Sequence, residues 1–337
     1  MIRLSRIFLA LSAVLLPAAA AAQDAEHSEW SIAIHGGAGT IERSLMTPER
    51  EAAYNASLQG ALDAGAIVLS DGGTAEDAVI AVITLLEDDP LFNAGRGAVL
   101  TWEGGISLDS SLMLGHDLSA GAAAGVDDVR HPILLAREVM RNSPHVLLSG
   151  EGASEFAAEQ GLELMDTDWF ITERRARSLE AFRNRQEASI EDREHAFGTV
   201  GAVARDMHGN LAAGTSTGGT TGKRWGRIGD SPLIGAGTYA DNRACAVSAT
   251  GTGEYFIRAS VARAICDLIR LTGMGPQEAA DQAMLEVEEL GGDGGVIVVS
   301  NIGETAFSFN TSGMYRGRAD STGVNEIAIY GEDPASD

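Results

Sequence analysis

The stretch H-A-F-G-T-V-G-A-V-A, His195 to Ala204, divides the chain into two unlike parts. Upstream, Glu173 to Arg193 is dense in Arg and Glu, with no apolar period strong enough to offset the entropy of ordering. That composition predicts a solvated linker, helical in part. Downstream, Thr199 to Ala204 is small and apolar, and with Leu211 to Thr215 it frames M-H-G-N as a hairpin. A charged segment that feeds directly into a core strand beginning with threonine suggests a cut site. Gly198 has no side chain, so the peptide bond after it tolerates strain and its carbonyl is open to attack.

Outward from this point the pattern is mixed helix and strand. W-S-I-A-I, Trp30 to Ile34, reads as a strand entering a glycine turn, H-G-G-A-G, His35 to Gly39. Pro48 starts an amphipathic helix over Glu49 to Leu69, and Thr74 caps another over Ala75 to Glu87, ended by Asp88 to Pro90. Strands are expected at Ala98 to Trp102, Ile106 to Leu114 and Ala120 to Val126, then a helix at Pro132 to Arg141. A short apolar stretch, Val146 to Leu148, and a helix near Ala153 to Gln160 complete the first half. The second half adds strands at Pro232 to Thr238, Ala244 to Ala249, Gly295 to Val299 and Thr305 to Phe309. Its helices are expected at Glu254 to Leu271 and Pro276 to Leu290.

The 337 residues carry a formal net charge of -24, which argues against nucleic acid or an anionic membrane as partner. Arg3 and Arg6, the apolar run Ile7 to Leu16, Pro17 and the small residues Ala18 to Ala22 form a secretory leader, residues 1–22. The apolar run is shorter than the ~20 residues of a membrane span. Export to a periplasm-like compartment is therefore expected, and loss of the two leader arginines takes the charge from -24 to -26. Two cysteines, Cys245 and Cys266, make no disulfide framework; both sit in apolar stretches and read as unbridged core residues.

Several chemistries fail on residue order. G-T-S-T-G, Gly214 to Gly218, matches a serine nucleophile elbow, but that arrangement needs a histidine downstream and the last one is His208. The seven histidines are scattered, with no H-E-x-x-H spacing for a metal. G-T-G-E-Y-F, Gly251 to Phe256, lacks the third glycine of a dinucleotide loop, and no Walker lysine pattern occurs. A different solution needs no histidine. Once the peptide bond before a threonine breaks, its own α-amine, titrating near 8 in model compounds, can take the hydroxyl proton. Thr199 suits that role, although a G-T-V strand start is common in ordinary proteins.

Longer motifs narrow the choice. G-T-V-G-A-V-A-R-D at Gly198, G-T-S-T-G-G-T-T-G-K at Gly214, G-R-I-G-D-S-P at Gly226 and S-A-T-G-T-G-E at Ser248 resemble the plant-type asparaginase and isoaspartyl peptidase family. I-H-G-G-A-G, L-F-N-A-G-R-G-A-V-L and G-G-I-S-L-D-S-S-L-M resemble it upstream, so the likeness runs from about Ile32 to about Arg316. The resemblance implies an α+β fold, a four-layer αββα sandwich of two antiparallel sheets flanked by helices. It implies self-cleavage into an α chain ending at Gly198 and a β chain, residues 199–337, paired as an (αβ)2 assembly. It also implies hydrolysis of β-aspartyl dipeptides and asparagine.

The implied roles fall on named residues. Thr199 is the nucleophile, Thr217 bonds and tunes it, and Thr250 with the Gly251 N–H forms the oxyanion hole. Arg227 and Asp230 clamp the carboxylate and ammonium of the aspartyl half, with the Gly253 carbonyl assisting; Asn93 lies near the nucleophile. No cofactor is needed for catalysis. The loop Leu86 to Arg96 resembles one that wraps a structural sodium with the carbonyls of Leu86, Glu87, Asp89, Phe92, Ala94 and Arg96, although a long cation at 96 departs from the apolar residue expected there. Glycosylasparaginases share the nucleophile but tend to read T-S-T-N-G and T-G-N-G where this chain has T-S-T-G-G and A-T-G-T-G. The sequence therefore favours the peptidase branch. A non-enzymatic binding protein is disfavoured because every implied catalytic position is intact, and a protease of larger substrates would have no use for an amino-acid clamp.

Overall fold

A period of two in the central strands sets the layers. In the computed structural model, which describes residues 29–39, 41, 43–188 and 198–331, the first half runs β1 (Ser31–Gly39), α1 (Pro48–Ser70), α2 (Ala75–Asp88), β2 (Leu108–Leu114), β3 (Ala120–Val126), α3 (Pro132–Asn142), β4 (Leu147–Ser149), α4 (Gly150–Glu159), α5 (Thr167–Phe170) and α6 (Glu173–Ala188). The second half runs β5 (Val200–Arg205), β6 (Leu211–Thr217), β7 (Thr238–Ala240), β8 (Cys245–Gly251), α7 (Gly253–Ala259), α8 (Val261–Thr272), α9 (Pro276–Glu289), β9 (Gly294–Ser300), β10 (Thr305–Phe309), β11 (Gly313–Asp320) and β12 (Asn325–Tyr330). The leader, residues 1–22, and the end of the charged segment with His195 lie outside the described residues.

Eight strands form one sheet in the order β12-β11-β1-β5-β6-β2-β3-β4, and four form a second, β10-β9-β8-β7. Every pairing is antiparallel except β3 with β4. On one face of the large sheet Ile32, Ile34, Val200, Ala202 and Ala204 pack against Leu58 and Leu62 of α1 and Val79 and Ile83 of α2. The alternate residues, Ala33, Val203 and Ala213, face Ala246, Ile297 and Val299 of the small sheet, whose far side, with Val247, Val296 and Val298, is covered by Ile265 of α8 and Met284 of α9. Each of these larger aliphatic side chains contributes about 1.5–3 kcal/mol on burial. The result is the four-layer helix–sheet–sheet–helix sandwich.

The differences from sequence expectation are local and physical. H-G-G-A-G continues β1 through a bulge between His35 and Gly37 instead of turning. Its glycines serve close packing: a Cβ on Gly36 would stand 2.3 Å from the Phe92 ring, and one on Gly37 (φ +109°) 2.5 Å from Gly198 Cα. Residues 98–102 and 232–237 are irregular rather than strands. The helix expected over Glu254 to Leu271 breaks at Ser260, which takes a left-handed φ of 51°. The helical part of the charged segment is Glu173–Ala188, and it is anchored to the fold where a free linker is expected. Arg174 donates to the carbonyls of Pro90 and Leu91, Arg175 to that of Gly97, and Leu179 is buried. Anchors made of guanidinium and carbonyl leave no apolar stripe for a periodicity test to find. Cys245 and Cys266 are bridged, contrary to expectation, because α8 packs on β8 and brings their Cα atoms to 5.4 Å. Finally, β11 and β12 extend the large sheet past Phe309, where the sequence reading assigned no element.

Candidate active site

Hairpin register places the threonine. Val200 pairs with Ser216 across β5 and β6, so one step further sets Thr199 beside Thr217. Their hydroxyl oxygens are 2.9 Å apart, and Thr217 Oγ1 also accepts the Gly219 N–H at 3.0 Å. Both threonines are buried. The Asn93 N–H donates to the Gly198 carbonyl at 3.0 Å, while its Nδ2 donates to the Gly219 carbonyl at 2.7 Å. Asn93 thus ties the residue before Thr199 to the loop after β6. A Cβ on Gly198 would stand 2.8 Å from Asn93 Cβ, so this approach requires glycine.

Below Thr199 lies a polar ladder that the sequence reading did not identify. His35 Nδ1 is 3.1 Å from the Thr199 carbonyl, which can only accept, so the proton sits on Nδ1. Its Nε2 then accepts from Ser248 at 2.9 Å, Ser248 from Thr215 at 2.7 Å, and Thr215 from Thr238 at 2.6 Å. Ser111 donates to Thr238 at 2.7 Å. Complete burial holds His35 down at about 3, although its bond to the Thr199 carbonyl works the other way. The ring is neutral at any working pH. The donors all run one way, from β2 and β7 through β6 and β8 to β1, and so pin the two sheets together under the threonine. A lone histidine before G-G carries no signal for this, because its partners lie 164 and 213 residues away.

The clamp residues meet at a cup lined by glycine. A Cβ on Gly253 would stand 2.6 Å from Asp230 Oδ1 and 3.1 Å from Arg227 Nη2. Asp230 Oδ2 and Thr250 Oγ1 are buried without a hydrogen-bond partner among the described residues. Desolvation pushes Asp230 up to about 7, against the opposing pull of its backbone N–H and of Arg227. Thr250 and Gly251 end β8 and lead straight into Gly253 at the start of α7. Thr252 does not cap that helix with its side chain; its hydroxyl bonds the Asp293 carboxylate. Arg227 and Asp230 form no direct ion pair within 4 Å. The guanidinium is held instead by Glu254, at 3.0 Å from Nε and 2.9 Å from Nη2.

Lys223 is a buried cation beside this cup that the motifs do not mark. It donates to the Ser107 carbonyl at 2.6 Å and lies 3.8 Å from Asp109 Oδ2, both side chains being buried. Burial lowers its pKa, and Asp109 opposes that shift. Gly219 separates Lys223 from Arg227: a Cβ there would stand 2.9 Å from Nζ and 3.3 Å from Nη1. A signal was present, since Lys223 is the sole lysine in a chain with 23 arginines.

The loop Leu86 to Arg96 is tightly wound. The Glu87 carbonyl accepts from the Arg96 N–H at 2.7 Å and the Asp89 carbonyl from the Phe92 N–H at 3.2 Å. The Arg96 guanidinium sits over the Trp169 ring, 5.6 Å from its centroid. Among the described residues no group of three or more His, Cys, Asp or Glu side chains is placed to hold a metal.

Sequence comparison extends these features beyond one chain. The Asparaginase family model matches residues 28–329. An isoaspartyl peptidase of Salmonella typhimurium is 48% identical over 308 residues, covering 89% of this chain and 98% of the relative. One of Escherichia coli is 46% identical, covering 89% and 96%. A human isoaspartyl peptidase/L-asparaginase is 41% identical over 285 residues, 84% and 91% of the two chains. The match spans both halves of the sandwich, from β1 into β12, so the whole fold is shared and not a fragment of it: the chain belongs to the asparaginase family of hydrolases.

Proposed function

We propose that this enzyme hydrolyses β-aspartyl dipeptides and, less efficiently, asparagine, through an acyl-enzyme on Thr199. The observation that carries the reading is the buried Asp230 carboxylate, whose Oδ1 faces the cup at Gly253 beside Arg227 and whose Oδ2, against Gly237, has no hydrogen-bond partner among the described residues. A buried unsatisfied acceptor costs about 1–3 kcal/mol. A substrate ammonium at Oδ1 gives this buried carboxylate the counter-charge it lacks, while the α-carboxylate of the same aspartyl half meets Arg227. The names of the relatives agree with this substrate class.

Maturation comes first in this scheme. Thr199 Oγ1 attacks the Gly198 carbonyl carbon, whose oxygen accepts from the Asn93 N–H; the Gly198–Thr199 C–N bond breaks as the hydroxyl proton passes to the Thr199 nitrogen, and water hydrolyses the resulting ester to give residues 23–198 and 199–337. The freed α-amine of Thr199 then serves as base. It takes the hydroxyl proton as Oγ1 attacks the β-carbonyl carbon of the substrate. Negative charge on the carbonyl oxygen is met by the Thr250 hydroxyl and the Gly251 N–H, donors of a kind worth about 3–4 kcal/mol each. The C–N bond breaks, the leaving amine takes the proton from the Thr199 ammonium, and water hydrolyses the ester by the reverse path. Thr217, 2.9 Å from Oγ1, orients the nucleophile.

Three further features belong to this proposal. Residues 1–22 act as an export signal, a placement that suits the Cys245–Cys266 bridge, since disulfides persist in oxidising compartments. No helix among the described residues is long and apolar enough to cross a membrane. The mature enzyme assembles as (αβ)2. A structural sodium is held by the carbonyls of Leu86, Glu87, Asp89, Phe92, Ala94 and Arg96; an all-oxygen set suits a hard cation, each carbonyl keeps a second lone pair, and stacking on Trp169 takes the Arg96 side chain away.

Incubation of the purified protein with β-Asp-Leu, asparagine and a glycosylated asparagine tests the reading. Cleavage of β-Asp-Leu, weaker cleavage of asparagine and a smaller chain beginning Thr-Val-Gly-Ala are expected, with Thr199→Ala remaining one inactive chain. Sugar release without action on β-Asp-Leu moves the protein to the glycosylasparaginase branch. An active, uncut wild type defeats the mechanism.

A further inference from the structure

Arginine offers carboxylates two edges, Nε with one Nη, and the pair Nη1 with Nη2. In this protein Glu254 occupies the first edge of Arg227, with both carboxylate oxygens engaged at 3.0 and 2.9 Å. The second edge faces glycine backbone, with Lys223 beyond Gly219 and Asp230 beside Gly253. Cβ atoms on Gly229 and Gly219 would stand 2.8 and 3.3 Å from Nη1, and one on Gly253 3.1 Å from Nη2. Nη1 makes no hydrogen bond among the described residues. The same cup holds Asp230 Oδ1, close to Gly253.

We infer that Glu254 is a positioning residue for substrate selection: it holds Arg227 by the Nε–Nη2 edge so that the Nη1–Nη2 edge meets the α-carboxylate of the aspartyl half. This inference rests on the proposed function for the identity of the ligand. Geometry explains the division of labour. Glu254 opens α7 next to Gly253, so the residue that aims the arginine and the residue that lines the cup are neighbours on one rigid helix start. Arg227 is largely buried while Glu254 is half exposed, its side chain 55% accessible. Solvent on the outer side lets Glu254 remain charged at little cost, and the inner edge stays dry for the ligand. Without Glu254 the long arginine side chain is free to rotate, and each productive encounter must first select its rotamer.

The test separates aim from general stability. In mature Glu254→Gln, KM for β-Asp-Leu is expected to rise about ten-fold with kcat within two-fold of wild type, because aim affects binding and not the reacting atoms. β-Alanyl-leucine, the same dipeptide without the α-carboxylate, should be handled equally by both enzymes, so the preference for β-Asp-Leu over it falls about ten-fold. Glu254→Asp should recover part of the loss. A lower KM for β-Asp-Leu in Glu254→Gln would mean that Glu254 competes with substrate and would overturn the inference, as would equal losses on both dipeptides. L-Aspartate binding, read as a thermal shift against β-alanine, supplies a measure that needs no turnover. If wild type cleaves neither substrate, the proposed function fails. Glu254 is then judged by whether its Gln variant weakens L-aspartate binding about ten-fold, and an unchanged shift rejects the aiming role.

Discussion

Beneath Thr199, five side chains from both sheets pass hydrogen bonds in one direction and end on its carbonyl. Beside it, Asp230 and Thr250 are as deeply buried, yet Oδ2 and Oγ1 have no partner among the described residues. Both regions place polar atoms in a low dielectric, where satisfaction or its lack counts for more than in water. The ladder is complete and therefore rigid; it sets where the threonine stands. The cup is incomplete and therefore unstable on its own, and a ligand with an ammonium and an oxyanion completes it. Function is concentrated where the hydrogen-bond inventory does not close.

The largest effect is expected from breaking the open region. Asp230→Asn removes the carboxylate proposed to hold the ammonium, and kcat/KM for β-Asp-Leu should fall about a hundred-fold or more. Its stability should move the other way. Asp230 is raised from 3.8 to about 7, so the native state holds its proton more tightly than the unfolded chain does. The native advantage is present below about pH 4 and is lost as pH rises toward 7. Thermal melting of the Asn variant should therefore gain on wild type between pH 4 and pH 8. Parallel melting curves across that range would show that the carboxylate bears no burial cost.

Breaking the closed region should do less to activity and more to stability. Ser248→Ala leaves the His35 Nε2 acceptor unsatisfied, at a cost of about 1–3 kcal/mol, while Thr215 keeps the Gly237 carbonyl as an acceptor at 3.2 Å. Through the Thr199 carbonyl the loss should reach kcat several-fold while KM holds. Normal kcat with reduced stability would confine the ladder to a structural role.

The smallest catalytic effect is expected away from both regions. Cys266→Ala opens the bridge between β8 and α8, whose cysteines are 21 residues apart. Loop-closure entropy for that span predicts a loss of about 3 kcal/mol in unfolding by denaturant. Activity should stay within two-fold. A large fall in kcat would mean that the bridge holds Thr250, at the far end of β8, in place.

Legibility in the sequence followed the range of the interaction. The hairpin around Thr199, the β3 and β10 boundaries, the helix start at Pro48 and the cap at Thr74 rest on contacts between near neighbours, and residue type alone is informative there. Thr199 and Thr217 were both named from motifs, and antiparallel register explains why they meet. Arg227 and Asp230 are also named from motifs, as a clamp; what no motif shows is that Glu254 holds Arg227 while Asp230 Oδ2 stays open. The helical part of the charged segment is expected from the sequence, but its anchoring is not, because the anchors are guanidinium–carbonyl bonds to a distant loop.

The sequence by itself determined the alternation that builds the sheets, the glycines that permit close approach at the Gly198–Thr199 bond, and the residue types of the proposed site. These follow from backbone sterics and side-chain period, which act over a few residues. Only the tertiary structure decided that His35, Ser248, Thr215, Thr238 and Ser111 form one ladder, that Cys245 meets Cys266, and that Glu254 holds Arg227. Those pairings join residues from about 20 to more than 200 positions apart. They exist because two sheets pack face to face in one register, and no local preference encodes that register.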